Sequence, residues 1–159
     1  GDVEPLATQK PEDSSYIVDV NIKGVIYCLH YQIDAMLKYA SAENPCSIVN
    51  NSSILSHAAY PGLTVYSATK HAVSGLTKGA ALELAESNIR VNAVGPGPIR
   101  TPMLEVPTDG HPEQFGGMVP MKRIGEPKEI SDAVQWLLST ESSYVTGHTL
   151  MIDGGFCSQ

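Results

Sequence analysis

The feature that most constrains this chain is its alternation of long amphipathic stretches with short apolar ones. Val18, Ile22, Val25, Leu29, Ile33 and Met36 recur every three or four residues, which marks an amphipathic helix. It is expected to begin behind a cap at Ser14 or Ser15 and to end near Ala42, before Asn44-Pro45. Ser47-Ile48-Val49-Asn50 then reads as a short buried strand, and a loop with Pro61-Gly62 leads to a second helix from about Thr64 to Glu86. Ile89 to Val94 reads as a strand ended by Gly95-Pro96-Gly97-Pro98, Glu129 to Leu138 as a shorter helix, and Thr149 to Ile152 as a last strand.

That order implies an α/β fold, a doubly wound parallel sheet with helices on both faces, formed as one domain over residues 1–159. Right-handed crossovers place the strand ends at Ser52-Ser53 and Pro96-Gly97 on one rim, where ligands of such sheets bind. Two features add to this outline. The second helix carries small residues along Ala68, Ala72, Leu76, Ala80 and Leu84, a line expected to pack closely on a neighbour. Thr101 to Pro127 is rich in Pro, Gly and Met without long periodicity, and so long a connection suggests a functional loop. Met103, Leu104, Phe115 and Met118 are its candidates for lining a pocket.

Charge narrows the function further. A formal net charge of −7 with scattered basic residues argues against binding nucleic acid or an anionic membrane surface. No apolar run approaches the length of a membrane span. Cys28, Cys46 and Cys157 are too few and too scattered for a disulfide framework or a metal site. Cys28 reads as a small core residue, and the compartment as reducing and cytoplasmic.

Tyr66 and Lys70 stand four apart at the start of the second helix and so share a face. A nearby ammonium favours phenolate and is expected to bring Tyr66 below its ordinary value, into the range useful for proton transfer. Such pairs are commonplace, and the spacing alone says little. Ser53, thirteen residues earlier at a strand end, changes that. Its hydroxyl and the phenol can converge on one carbonyl oxygen, where negative charge would build during reduction. Ser52 is the competing serine, with a backbone-satisfying role as its plain alternative. His57, His71 and His111 have no evident carboxylate partner and are read as ordinary surface or hydrogen-bonded residues.

With these residues in place, the chain resembles the short-chain dehydrogenase/reductase family along essentially its whole length. Tyr66-Ser67-Ala68-Thr69-Lys70 is similar to the family's Tyr-x-x-x-Lys segment, and Asn50-Asn51-Ser52-Ser53 to its serine strand. Val20-Asn21-Ile22-Lys23-Gly24 resembles the segment bearing an asparagine, and Met151-Ile152-Asp153-Gly154-Gly155 the closing strand. Arg90 to Gly97, followed by Ile99 and Thr101, resembles the nicotinamide-side cofactor loop. The resemblance implies an NAD- or NADP-dependent oxidoreductase acting on a small-molecule secondary alcohol or ketone, and assembled as a homodimer or homotetramer. It implies that Tyr66 moves the proton, Lys70 assists it and bonds the ribose, Ser53 orients the substrate and Asn21 holds a water. Pro96, Gly97, Ile99 and Thr101 would hold the nicotinamide.

Three departures accompany it. The family's Gly-rich pyrophosphate turn does not occur in the sequence, so these residues are expected to be the C-terminal part of a longer domain. Alone, they are expected to bind NAD(P) poorly and turn nothing over; a truncated, non-catalytic interaction module is the alternative. Asn51 replaces a commoner apolar or Thr residue, and Ser56 stands where glycine is usual.

Overall fold

The computed structural model describes residues 3–105, 108 and 110–159. Gly1 and Asp2 lie outside the described residues, as do Val106, Pro107 and Asp109 of the long connection.

The first helix starts earlier than its serines suggest. Helix α1 spans Pro11–Val18 with Pro11 at its first position, where a missing N–H costs nothing. Ser14 and Ser15 therefore lie inside the helix rather than capping it. A π-helical turn, Asp19–Lys23, joins α1 to helix α2, Gly24–Met36. The helix stops at Met36, short of Ala42, where the carbonyl of Met36 accepts the amides of Tyr39 and Ala40. The predicted apolar line holds. Leu29 is buried, and Val25, Ile33 and Met36 pack on the same core. Cys28 instead lies on the exposed side of α2, close in sequence to exposed Tyr27 and Tyr31. An apolar pattern marks a helix but not how far its buried stripe reaches around it.

Strands β1 (Cys46–Asn51), β2 (Ile89–Pro96) and β3 (Thr149–Ile152) form a parallel sheet in the order β1-β2-β3. Ile48 pairs with Val91 and Ala93 with Thr149. Alternation along β2 gives the sheet two different faces. Ile89 and Val91 join Ile48, Leu29, Ala80, Ala81 and Leu84 in one apolar core. Arg90 and Asn92 point the other way, toward helix α5 (Pro127–Leu138) and the turn that follows it. There the Arg90 guanidinium donates to Leu137 O and Ser139 O, both at 2.9 Å, and Ser47 Oγ donates to Leu137 O at 3.0 Å. A cation at the C-terminal carbonyls of a helix also meets the negative end of its dipole. Helices thus cover both faces, as the element order predicts.

Strand β2 continues through Gly95 and Pro96 instead of stopping before them. Pro96 forms the last pair, with Ile152, where its missing N–H interrupts nothing further along the ladder. Helix α3, Thr64–Glu83, packs the C-terminal part of the predicted line, Leu76, Ala80 and Leu84, on the core, but not its N-terminal end. Ala68 is exposed, and the buried positions include Ser67, Lys70, Val73, Ser74, Thr77 and Ala81. Hydroxyls can be buried here because they bond the helix's own preceding turn: Thr77 Oγ1 to Val73 O at 2.8 Å and Ser67 Oγ to Leu63 O at 2.7 Å.

The long connection is not featureless. It contains helix α4, Pro102–Glu105, and a 3₁₀ segment, Pro112–Met118. Among the described residues no helix is long and apolar enough to cross a membrane.

Candidate active site

The site is assembled where β1 ends and α3 begins. Ser53 leaves the strand in extended conformation and its Oγ accepts the Leu55 amide at 3.1 Å, capping the short 3₁₀ turn Ile54–Ser56. Ser56 Oγ closes that turn on Ser53 O at 2.7 Å, so the serine found in place of the usual glycine is a working part of it. The Ser53 side chain also faces Tyr66 and favours its ionised form. Ser52 faces away, with its buried Oγ donating to Lys70 O at 3.2 Å and lying 3.3 Å from Ser74 Oγ. Of the two serines, only Ser53 is turned to the phenol.

Lys70 follows one helical turn after Tyr66 and is 8% exposed. Its Nζ donates to Asn51 O at 3.0 Å and lies 5.4 Å from the Tyr66 ring centroid. Burial holds the Lys70 ammonium below its ordinary value. Burial also dominates Tyr66, which is raised above the usual phenol range, with the Ser53 hydroxyl opposing it. The expected depression of Tyr66 by Lys70 is therefore corrected. Removing the phenol from water penalises phenolate more than its neighbours stabilise it.

Asn21 sits in the π-helical turn, half-buried, and its Nδ2 donates to Thr69 Oγ1 at 3.1 Å. Thr69 Oγ1 in turn donates to Tyr66 O at 2.7 Å. Asn21 thus connects to the helix that carries Tyr66 and Lys70, at its first turns. A π-turn widens the backbone locally, and this one occurs where the side chain must reach α3.

A cleft of about 850 Å³ opens on this rim, lined by Ser53, Tyr66, Pro96, Gly97, Ile99 and Thr101. Lys70 and Asn21 stand behind it. Gly97 brings the wall close to β3: a Cβ there would lie 2.8 Å from Asp153 Cα. Thr101 Oγ1 donates to Ile99 O at 3.3 Å. Met103 and Leu104 also line the cleft, whereas Phe115 and Met118 do not. The sequence reading missed Asn51 and the α5 residues Ile130, Val134 and Leu138, which also line the cleft. Their i, i+4 spacing was visible, but such spacing ordinarily reports a core face.

The cleft offers a hydroxyl, with an ammonium behind it. An ammonium carries three N–H donors, and the described residues accept one from Lys70. The Tyr66 hydroxyl faces the same opening as the backbone from Pro96 to Thr101.

The chain is similar to known proteins in sequence and in fold. A family profile described as enoyl-(acyl carrier protein) reductase matches residues 2–157. A 3-oxoacyl-(acyl-carrier-protein) reductase of Thermotoga maritima is 43% identical over 150 residues, 94% of this chain and 59% of that protein. The chain belongs to the short-chain dehydrogenase/reductase family. Among solved structures of this family, ElxO with NADP bound superposes with a TM-score of 0.89 at 35% identity, over 98% of this chain and 62% of that one. The 3-ketoacyl-(acyl-carrier-protein) reductase of Brucella melitensis complexed with NADH gives a TM-score of 0.89 at 32% identity, over 97% and 62%. The chain therefore spans about 60% of the length of these family members.

Proposed function

We propose that the protein containing this chain is an NAD(P)-dependent oxidoreductase acting between a secondary alcohol and its ketone. The observation that carries this reading is the convergence of Ser53 on Tyr66 at the mouth of the cleft, with the Lys70 ammonium buried behind them. The nicotinamide dinucleotide, when bound, supplies the carbon that accepts or donates hydride. The Ser53 hydroxyl orients the substrate oxygen, and Tyr66 Oη moves the proton to or from it. Donors aimed at an oxygen that gains charge stabilise the transition state more than the ground state. Lys70 presents its remaining N–H groups to the ribose, Asn21 holds the water linking Lys70 to solvent, and the backbone at Pro96, Gly97 and Ile99, with Thr101, holds the carboxamide end. Relatives of known structure with NADP and NADH bound support either dinucleotide.

With Tyr66 raised by burial, the phenol is neutral near neutral pH. Ketone reduction then has its proton in place, whereas alcohol oxidation must first remove it and gains as pH rises. Met103 and Leu104 favour an apolar substrate. The assembly is a homodimer or homotetramer, supported by exposed Tyr27 and Tyr31 on α2. Sedimentation velocity tests this, and a monomer refutes it. For the reaction, Tyr66→Phe in the full-length protein is expected to lose nearly all turnover while dinucleotide affinity is kept. Persistent turnover refutes the proton role.

A further inference from the structure

Between the cofactor-side loop and the start of α5 lies a group of charges that the proposed chemistry does not use. Arg100 stands between Ile99 and Thr101, both in the cleft wall, but does not line the cleft itself. Its Nη1 donates to Glu113 Oε1 at 2.8 Å and its Nε to Glu126 Oε1 at 3.1 Å. Glu113 belongs to the 3₁₀ segment Pro112–Met118, and Glu126 immediately precedes α5. One guanidinium therefore ties three pieces of chain together.

The backbone beneath it is paired as well. Arg100 N donates to Gly125 O and Gly125 N to Pro98 O, both at 2.9 Å. A Cβ on Gly125 would meet the end of the Ile99 side chain, Cδ1 at 2.6 Å. The second layer is also anchored. Glu129 accepts both Nη atoms of Arg123, at 2.8 and 2.7 Å, and the Glu126 amide at 2.8 Å. Glu126 is thus held from α5 while it holds Arg100. A two-residue backbone bridge alone is weak, and the guanidinium fork adds a second attachment on the side away from the cleft.

We propose that Arg100 is a positioning residue for the dinucleotide site: through Glu113 and Glu126 it fixes the backbone that carries Ile99 and Thr101. This rests on the oxidoreductase reading above. All three side chains are at least one-third exposed, so the attachment is modest and salt-sensitive. It contributes to affinity rather than to the chemical step.

The test uses the full-length protein, titrated with NADH and with NADPH, for unmodified protein, Arg100→Ala, Arg100→Lys and Glu113→Gln. At low salt Arg100→Ala is expected to raise the dissociation constant about three- to fivefold, the scale of two exposed ion pairs. Glu113→Gln should raise it less, and Arg100→Lys should recover part of the loss, because an ammonium restores the charge but not the fork. Turnover at saturating dinucleotide should stay unchanged. The variant-to-unmodified ratio cancels the direct effect of salt on the ligand, and it should fall toward one at about 1 M salt, where the screening length is about 3 Å. A ratio of one at low salt, a ratio indifferent to salt, or a loss confined to saturated turnover overturns the proposal. Glu113→Gln decides the matter should Arg100→Ala fail to fold. If the unmodified protein binds neither dinucleotide, the oxidoreductase reading fails with it; normal binding with a ratio of one sinks the Arg100 role alone.

Discussion

Replacing Gly97 by alanine tests the packing on which the cleft wall depends. The Gly97 amide donates to Ile152 O at 3.0 Å, so β2 and β3 are already in contact there. An added Cβ would lie 2.8 Å from Asp153 Cα, 3.1 Å from its Cβ and 3.3 Å from its carbonyl oxygen. Asp153 cannot withdraw freely, because its carboxylate accepts the amides of Gly155 at 2.9 Å and Cys157 at 2.8 Å. Forcing an extra carbon against fixed backbone costs about 1–3 kcal/mol. Restricting the unfolded chain returns about 0.4–1 kcal/mol of that. The net expectation is a loss of roughly 1–2 kcal/mol, measured by urea unfolding at constant slope. Two controls give the experiment direction. At Gly95 the added Cβ meets the end of Met151, Sδ at 2.4 Å and Cε at 3.0 Å, and that flexible side chain can turn away. At Gly79, inside α3, nothing lies within 4 Å, and alanine should stabilise by up to about 1 kcal/mol. The expected order of stability is Gly79→Ala above Gly95→Ala above Gly97→Ala. Gly97→Ala equal to or more stable than Gly95→Ala would show that the close approach to Asp153 is not a constraint.

Three further outcomes follow from the geometry. Tyr66 should ionise above the ordinary phenol value without bound dinucleotide, because burial raises it. Ser53→Ala should raise it further by removing the opposing hydroxyl, and tyrosinate absorbance against Tyr66→Phe reads both; a fall with Ser53→Ala would contradict the assignment. Glu129 is lowered to about 2 by Arg123 and the Glu126 amide. Its folded value lies below its unfolded one, so its contribution is present above about 4.5 and is lost as pH falls toward 2. Glu129→Gln should therefore flatten the acid limb of stability against pH, and an unchanged limb would refute this. Asn92 is 0% exposed; its Nδ2 donates to Val145 O at 2.8 Å and its Oδ1 accepts the His148 amide at 3.1 Å. Asn92→Ala strands both partners and should cost about 2–3 kcal/mol in chemical unfolding; a loss below about 0.5 kcal/mol would mean that water replaces the amide without penalty.

The sequence by itself determined the order of elements, the parallel sheet, and the rim where Ser53 and Tyr66 meet. Those were legible because strand and helix periods, Pro-Gly punctuation and i, i+4 spacing are local properties of the chain. The line from Val18 to Met36 shows this: it identified the helical stretch and, from Val25 onward, its inner face, though not the π-turn at Asp19–Lys23. Other matters were decided only by the tertiary structure. Of the line from Ala68 to Leu84, Leu76, Ala80 and Leu84 join the core, but Ala68 is exposed and the hydroxyls of Ser74 and Thr77 are buried beside them, because hydroxyls that bond within the molecule lose little on burial. Lys70 looked like the group that would lower Tyr66, but its donor goes to Asn51 O, and the phenol is governed by its own loss of water. Arg100 gave no signal, since its partners lie thirteen and twenty-six residues away. Hydrogen-bond partners, desolvation and the clearance beside Gly97 depend on what the fold brings near, and a residue's neighbours in sequence do not carry that information.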